Sequence, residues 1–380
     1  MVASPDRPGH CFGVRHLSVM SPQPVEARQN EKSDSAVLLK AAHRLTADLM
    51  QPNPVLYWVD LIASSGLGYG ALAAAVAPTL PVPLRIAAGI IAVLALYRAI
   101  LFIHELTHVR LSTLPGFWTG WNILVGIPLL TPSFFYEGVH TLHHAKTHYG
   151  TVRDPEYLPL GHNRPVELIL FTFAALFFPL LLILRSLILV PLAAVIPPLR
   201  RLMVERLSAL VINPEFRRPP LTPTLARRWL VLETVTCLYA WGVAALVLSG
   251  AISWTSVAIV LAIAAGIALT NQFRTLLAHH WENEGEEMDA VEQLLDTVNV
   301  PPPAMLPMLW APVGLRYHGL HHFLPGLPYH NLGEAHRRMV TALPADNAYQ
   351  QTSSTGAVEV LARLLAHQAR AKELRRERKA

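Results

Sequence analysis

The chain has 380 residues, of which 52% are hydrophobic and only 15% are charged, and its mean hydropathy is +0.34. A typical soluble domain has about 25% charged residues, so this composition argues against a soluble protein and for one embedded in a membrane. The formal net charge of +5 is small and the basic residues adjoin apolar segments, so no nucleic-acid partner is expected.

The chain divides into three predicted parts. Residues 1–50 form a polar N-terminal segment, residues 51–345 a membrane-embedded catalytic domain, and residues 346–380 a basic C-terminal tail. Apolar residues at helical spacing predict an amphipathic helix over residues 36–50. Together with the long apolar segments that follow, this pattern predicts an all-α protein.

Four segments are long and apolar enough to cross a bilayer, which requires about 20 residues. They form two pairs, and the turn that joins the members of each pair carries no charge. The predicted spans are residues 55–77, 84–103, 229–248 and 252–273. The sequence therefore predicts two transmembrane helical hairpins.

Charge predicts the orientation of these hairpins, because an excess of Lys and Arg marks the cytoplasmic side. Residues 199–228 contain seven Arg and two Glu, and the C-terminal tail is basic too. Both termini and all histidine clusters are therefore expected in the cytoplasm. Two further apolar stretches, 117–135 and 168–196, must then make no net crossing. We expect the first to lie in the interface or to enter the membrane and return, and the second to be an interfacial element or a shallow hairpin.

Twelve of the 18 histidines lie in clusters next to the apolar segments. The first cluster places His104 and His108 four residues apart at the inner end of the second span. Residues at this spacing share one face of a helix, so both rings can reach one metal. The intervening Glu105 completes a His-Glu-x-x-His pattern, which is also the signature of zinc peptidases. An intramembrane zinc protease therefore remains an alternative.

Two further clusters share the pattern His-x-x-His-His. These triplets are His140, His143 and His144, and, 178 residues later, His318, His321 and His322. With the first cluster they supply eight imidazoles, too many for one metal and about right for two. Imidazole binds zinc, copper, iron and nickel, so the ligand type alone does not select the element.

The boxes HELTH, HTLHH and HGLHH, in this order around two hairpins, resemble those of the integral-membrane fatty acid desaturase/hydroxylase superfamily. The resemblance covers roughly residues 55–340. It implies a non-haem centre of two iron ions that activates O₂ to attack an unactivated C–H bond. It also implies an electron donor such as ferredoxin, rubredoxin or a cytochrome-type protein, with an NAD(P)H reductase. A further ligand is common before the third box, and His279 is the candidate.

The predicted ligand set therefore has nine members: His104, His108, His140, His143, His144, His279, His318, His321 and His322. Ligand histidines usually donate their second N–H to a carboxylate or carbonyl. The candidate carboxylates are Glu105, Glu137, Glu156, Asp296 and, as first choice, Asp154. Three more histidines are expected beside the ligands: His148, His280 and His330. The other six are expected at the surface: His10, His16, His43, His162, His336 and His367.

The function expected first is desaturation of a long-chain acyl lipid or acyl thioester, which introduces a C=C bond at the expense of O₂. The first alternative is hydroxylation or ketolation of a lipid, alkane or carotenoid at the same centre. The zinc protease and a non-catalytic metal transporter or sensor are more distant. The transporter requires polar ligands inside the spans, whereas the histidine clusters lie at their ends.

Overall fold

The computed structural model describes residues 25–377, and among these residues the regular structure is entirely helical. The segment with His10 and His16 lies outside this range. The main helices are α1 (Val25–Thr46), α2 (Pro54–Val76), α3 (Val82–His108), α4 (Phe117–Trp121), α5 (His140–His143), α6 (Pro165–Val195), α7 (Pro197–Arg206), α8 (Pro223–Leu248), α9 (Trp254–Leu276), α10 (Ala290–Asp296), α11 (His318–Phe323), α12 (Leu332–Ala342) and α13 (Ala357–Glu377).

The two predicted hairpins are confirmed as α2–α3 and α8–α9, four of the five helices that are long and apolar enough to span a membrane. The side chain of Asn53 accepts hydrogen bonds from the amides of Val55 and Leu56 and so caps the start of α2. The two helices of the first hairpin pack closely, because a Cβ atom at Gly68 would lie only 2.6 Å from the side chain of Leu96. Helix α3 continues to His108, which places the whole first box on the end of a span.

The fifth candidate span is α6, and its form corrects the sequence expectation. It is one helix of 31 residues, so of the two alternatives the shallow hairpin is wrong and the interfacial position stays a prediction. Pro179 follows a 3₁₀ turn and Pro191 follows a π turn, and the helix continues past both. At such irregular turns the normal hydrogen bond to the residue four positions earlier is already altered, so a proline disrupts less.

The contacts of α6 agree with the requirement for no net crossing. Leu168, near its start, packs in one cluster with Tyr157 and Trp281 beside the second box. Beyond its end, α7 folds back, and Arg185 Nε donates to the carbonyl of Leu207 at 2.9 Å. The chain then returns to the second box region, where the Leu210 amide donates to the Phe135 carbonyl at 3.0 Å. Both flanks of α6 therefore lie beside segments that adjoin the second histidine box.

The other uncertain stretch, 117–135, contains no helix long enough to cross a membrane. Helix α4 passes into a π turn over Asn122–Gly126, and a 3₁₀ turn over Ser133–Phe135 follows. Asn122 stabilises this return, because its side chain accepts from the Ser133 amide at 2.9 Å and donates to the Ser133 hydroxyl. The stretch enters and leaves on one side of the α2–α3 pair.

The remaining helices form a cap over the histidine-bearing ends of the spans. The predicted amphipathic helix is the C-terminal part of α1, and its Leu38 and Ala42 are buried in a cluster with Leu320 of the third box. On the opposite flank, Leu364 of α13 packs with Trp281. The segment before the third box exposes Met305, Leu306, Met308 and Leu309, which favours contact with the membrane over a wall inside a tunnel.

Candidate metal centre

The nine histidines of the predicted ligand set are brought together in two groups. The first histidine group consists of His104, His108, His140, His144 and His321. The second histidine group consists of His143, His279, His318 and His322. Within each group, one ring nitrogen from every member lies within 4.8 Å of those of the others.

Each His-x-x-His-His box contributes to both groups. In the second box, His140 and His144 belong to the first group, and His143 points into the second. In the third box the assignment is reversed, since His318 and His322 belong to the second group and His321 to the first. Residues four apart share a helical face, whereas the ring three positions after the first is rotated away from it. One helical turn therefore serves two adjacent sites.

The spacing of the nitrogens fits a metal coordination shell. In the first group the Nε2 atoms of His140 and His144 are 3.0 Å apart, and those of His144 and His321 are 3.1 Å apart. In the second group the Nε2 atom of His318 lies 3.1 Å from that of His279. Two imidazoles bound at about 2.1 Å and a right angle would have nitrogens about 3.0 Å apart. The buried Nε2 atom of His108 has no hydrogen-bond partner, so a ligand is its natural complement.

Burial keeps most of these rings in the neutral form that binds metals. It holds the pKa of His144, His321 and His322 well below its usual value, and the neighbouring histidines lower it further. His143 differs: burial lowers its pKa, but Asp154 opposes this effect and the net shift is upward. The ring of His144 stacks on that of His322 with centroids 4.2 Å apart, so the two groups are in direct contact.

Three histidines are oriented through Nδ1 by acidic networks. His143 contacts the fully buried Asp154, the first-choice carboxylate, at 2.9 Å, and His140 contacts Glu156 at 2.7 Å. His279 Nδ1 contacts the hydroxyl of Tyr149 at 2.8 Å, and that hydroxyl donates to Asp296 at 2.7 Å. In each case the partner on Nδ1 leaves Nε2 free for a metal.

Two of these carboxylates have strongly raised pKa values. Burial raises the pKa of Glu156 to about 7, against the lowering effects of His143 and of a hydrogen bond from Tyr136. Burial also raises the pKa of Asp296 to about 6, although the hydrogen bond from Tyr149 lowers it. Keeping a buried carboxylate charged costs free energy, and cations bound nearby offset this cost.

The glutamate of the His-Glu-x-x-His pattern is not placed as a peptidase base. Glu105 accepts a hydrogen bond from the Tyr57 hydroxyl and another, at 3.2 Å, from the Tyr329 amide. Its carboxylate belongs to neither histidine group, and the closest approach to His104 is 3.6 Å. Glu105 therefore links α2, α3 and the segment after the third box. Three further histidines lie in one group with His104 and His108, more ligands than the single zinc site of a peptidase requires.

Several predicted neighbours of the ligands lie elsewhere. His148 Nδ1 hydrogen-bonds to the Thr147 hydroxyl, and the Glu137 side chain accepts from Trp118 and Ser133. His330 Nε2 accepts from the Asn53 amide at 3.0 Å and so supports the start of α2.

His280 and His336 correct two expectations. His280 was expected beside the ligands, but α9 ends at Leu276 and His279 lies in an isolated β-bridge. Successive side chains point to opposite faces there, so His280 faces away from the second group. His336, expected at the surface, is buried and its Nδ1 contacts the Tyr349 hydroxyl at 2.7 Å.

Sequence reasoning did not identify Tyr149 and Tyr136 as site residues. Tyr149 is fully buried and contacts both His279 and Asp296. Tyr136 donates to Glu156 at 2.6 Å and stacks on the ring of His140. The only available signal was the position of each tyrosine close to the second box, and that position is not specific.

Comparison with known proteins agrees with this geometry. The family described as "Fatty acid desaturase" matches residues 79–354, a range that includes all three boxes. The chain belongs to the fatty acid desaturase family. A "Ceramide hydroxylase" from Caulobacter vibrioides (strain NA1000 / CB15N) is 49% identical to this chain over 324 residues. The matched region covers 85% of this chain and 92% of the relative. No solved structure matches the chain.

Membership of the desaturase family establishes the general class of the protein. It is an integral membrane oxidoreductase of lipid metabolism, with five apolar helices and a histidine-rich centre of the kind that holds two irons in this family. The relative named as a hydroxylase favours the alternative to desaturation that the sequence left open.

Proposed function

We propose that the protein is a membrane-bound di-iron hydroxylase that acts on an N-acyl lipid of the ceramide type. The observation that carries this proposal is the pair of histidine groups, five and four rings, that meet through His144 and His322. The relative that is 49% identical and named a ceramide hydroxylase supports hydroxylation and the substrate class.

The nine histidines of the two groups would hold the two iron ions. Bound there, the irons would reduce O₂ with two electrons and two protons, so that one oxygen atom enters a C–H bond and the other leaves as water. The chain's residues orient the ligands: Asp154 and Glu156 hold His143 and His140 by their Nδ1 atoms, and Tyr149 holds His279. The fully buried Tyr149 and Trp281 help to exclude water from this side of the centre.

The proposal includes an orientation and an electron source. The arginine-rich segment 199–228 and the basic tail favour a cytoplasmic position for the histidines and both termini. The electrons would come from a ferredoxin, a rubredoxin or a cytochrome-type protein that an NAD(P)H reductase keeps reduced. The substrate would reach the centre from the bilayer, because α3 and α9 lead from the apolar spans directly to His104 and His279.

Mass spectrometry of membrane lipids tests the proposal. The protein is produced in a host that makes ceramide but does not hydroxylate it, with and without ¹⁸O₂. We expect ceramide that has gained one oxygen atom, labelled from O₂. Loss of two hydrogens without oxygen would instead support desaturation, which the family description keeps as the second candidate.

A matched pair of variants completes the test. His318→Ala removes a member of the second group and should abolish product formation. His148→Ala removes a histidine near the second box that belongs to neither histidine group and hydrogen-bonds to Thr147, and it should leave product formation unchanged. Equal activity of wild type and His318→Ala would overturn the proposal.

A further inference from the structure

A buried arginine lies at the inner end of α9. Arg274 is 9% exposed, and its Nε atom has no hydrogen-bond partner. Its side chain donates one long hydrogen bond, at 3.4 Å, to the Asn271 side chain. Among residues 25–377 no acidic group forms an ion pair with it. An ionised residue inside a membrane span is costly, and such residues usually have a partner or a function.

Arg274 adjoins the chain segments that carry the two histidine groups. It precedes His279 of the second group by five residues, and α9 packs against α3, which ends in His104 and His108 of the first group. The fully buried Tyr97 of α3 is its neighbour across this helix contact.

The acidic residues of the site do not pair with the positive charge of Arg274, because each already accepts hydrogen bonds from other groups. Glu156 is engaged by His140 and Tyr136, and Asp296 by Tyr149 and Tyr157. Asp154 accepts from His143 and from two backbone amides, and Glu105 accepts from a hydroxyl and an amide. Among the side chains of residues 36–377, the Nε donor of Arg274 therefore has no acceptor, and it is available to a bound ligand.

We propose that Arg274 binds the amide carbonyl oxygen of the lipid substrate and thereby selects the carbon that is oxidised. The proposal rests on the proposed hydroxylation of an N-acyl lipid. A guanidinium presents several N–H groups in a fixed plane, which suits a carbonyl oxygen that must be held in one orientation. The apolar chain would extend from this point into the membrane-embedded part of the protein.

The position of Arg274 predicts the regiochemistry. Because Arg274 adjoins the segments of both groups, a carbonyl bound to it would place the first carbons next to that carbonyl at the metal centre. The oxidised carbon is therefore near the polar end of the substrate, and carbons in the middle of the chain or at the methyl end are out of reach.

The wild-type product tests this directly and needs no variant. Hydroxylated ceramide made by the intact protein in membranes is fragmented in the mass spectrometer to locate the new hydroxyl. A single hydroxyl within a few carbons of the amide is the expected result. A hydroxyl in the middle of the chain or at its methyl end would overturn the role of Arg274 and leave the proposed hydroxylation intact. If no hydroxylated lipid forms, the proposed function itself fails.

Variants of Arg274 test the residue. Arg274→Gln should keep its iron, raise KM for ceramide, lower kcat/KM about ten- to hundredfold, and spread the hydroxyl over several carbons. Arg274→Lys should restore part of the loss because it keeps the charge. The control is Arg85→Gln, which removes an arginine from the outer end of α3 that donates to the Ala75 carbonyl. An unchanged KM and a single product isomer in Arg274→Gln would contradict the proposal.

Discussion

At the scale of single residues, Asp154 shows how one buried carboxylate can control a metal ligand. It is fully buried, contacts His143 Nδ1 at 2.9 Å and accepts from the amides of Gly150 and Glu156. Asp154→Asn keeps the shape but removes the charge that fixes the His143 tautomer. We expect a fall of about 10- to 100-fold in metal affinity or activity, because partners of ligand histidines have effects of this size. Iron content and turnover of the purified protein provide the measurement.

Asp289→Asn is a suitable control for this substitution. Asp289 caps α10 from the surface, and asparagine is nearly as good a cap as aspartate. It should therefore keep both iron and activity. An Asp154→Asn protein with full iron content and full turnover would show that His143 does not depend on this carboxylate.

His336 predicts a pH dependence that does not involve the metal centre. Burial, followed by the charge of Arg316, lowers its pKa to about 4 from the usual value of 6.5. The folded state therefore prefers the neutral ring, and its contribution to stability is complete above pH 6.5 and is lost as the pH falls towards 4. At pH 5 the loss is about 2 kcal/mol relative to neutral pH.

The comparison of His336→Gln with wild type isolates this contribution. Thermal unfolding in detergent at pH 7 and pH 5 should show a smaller loss of stability on acidification for the variant, because glutamine does not titrate. His43→Gln, at an exposed position of α1, should behave like wild type. The same loss of stability between pH 7 and pH 5 in all three proteins would exclude His336 as a source of the pH dependence.

The residues of the site differ in how well sequence could predict them. The nine histidines were predictable because repeated ligand spacing is rarely accidental, and Asp154 because it follows the second box. The contact between Tyr149 and His279 joins residues 130 positions apart, so no local pattern predicts it. Glu156 faces the site, where it contacts His140. Residues 207–218 fold over this stretch, as the hydrogen bond from the Ile212 amide to the Pro155 carbonyl shows, and no local pattern predicts this cover.

At the scale of elements, the two hairpins were predictable and α6 was not. The hairpins have uncharged turns and spans of normal length, so length and charge together define them. For α6, the parity of crossings left an interfacial element and a shallow hairpin open, and the structure shows that irregular turns let one helix continue past Pro179 and Pro191. The split of each His-x-x-His-His box between the two groups also depends on geometry. A pattern of spacing shows that three rings share a helical turn, but not that a second metal site lies beside the first.

The placement of α6 gives a prediction about topology. With Cys11 and Cys237 replaced by serine, single cysteines are introduced at Asn163 and Pro198, which flank α6, and at Gly250 between α8 and α9. Since the flanks of α6 lie beside the second box, both should react with a membrane-impermeant maleimide only after the cells are opened. Cysteine at Gly250 should react in intact cells.

A cysteine in the other outer turn and the cysteine-free protein serve as controls for this labelling. A cysteine at Thr79, in the other outer turn, should label like the one at Gly250, and the cysteine-free protein should not label at all. Labelling of Asn163 and Pro198 from opposite sides would mean that α6 crosses the membrane. It would also place His279 opposite His143, in conflict with their common group.

At the scale of the whole molecule, the metal centre joins parts of the chain that are far apart in sequence. The first group takes rings from α3, α5 and its C-cap, and α11, and the second adds His279 beyond α9. Metal binding therefore connects both hairpins to the cap, and its free energy contributes to the stability of the whole fold. The sequence predicted two metals from a count of rings, but only the fold assigns a set of ligands to each.

This arrangement predicts two irons per chain that can be lost separately. His108→Ala removes a ring of the first group, and His279→Ala one of the second; neither ring belongs to a box shared between the groups. Each variant should therefore retain about half of the wild-type iron and lose activity, because O₂ reduction requires both ions. Removal of all iron with a chelator should abolish activity and lower the melting temperature, as unpaired buried imidazoles then lose their ligand. Iron analysis and thermal unfolding of both variants, with His148→Ala as the control, test this. Full iron content in either variant, or one zinc per chain with activity that needs no O₂, would contradict the two-iron centre.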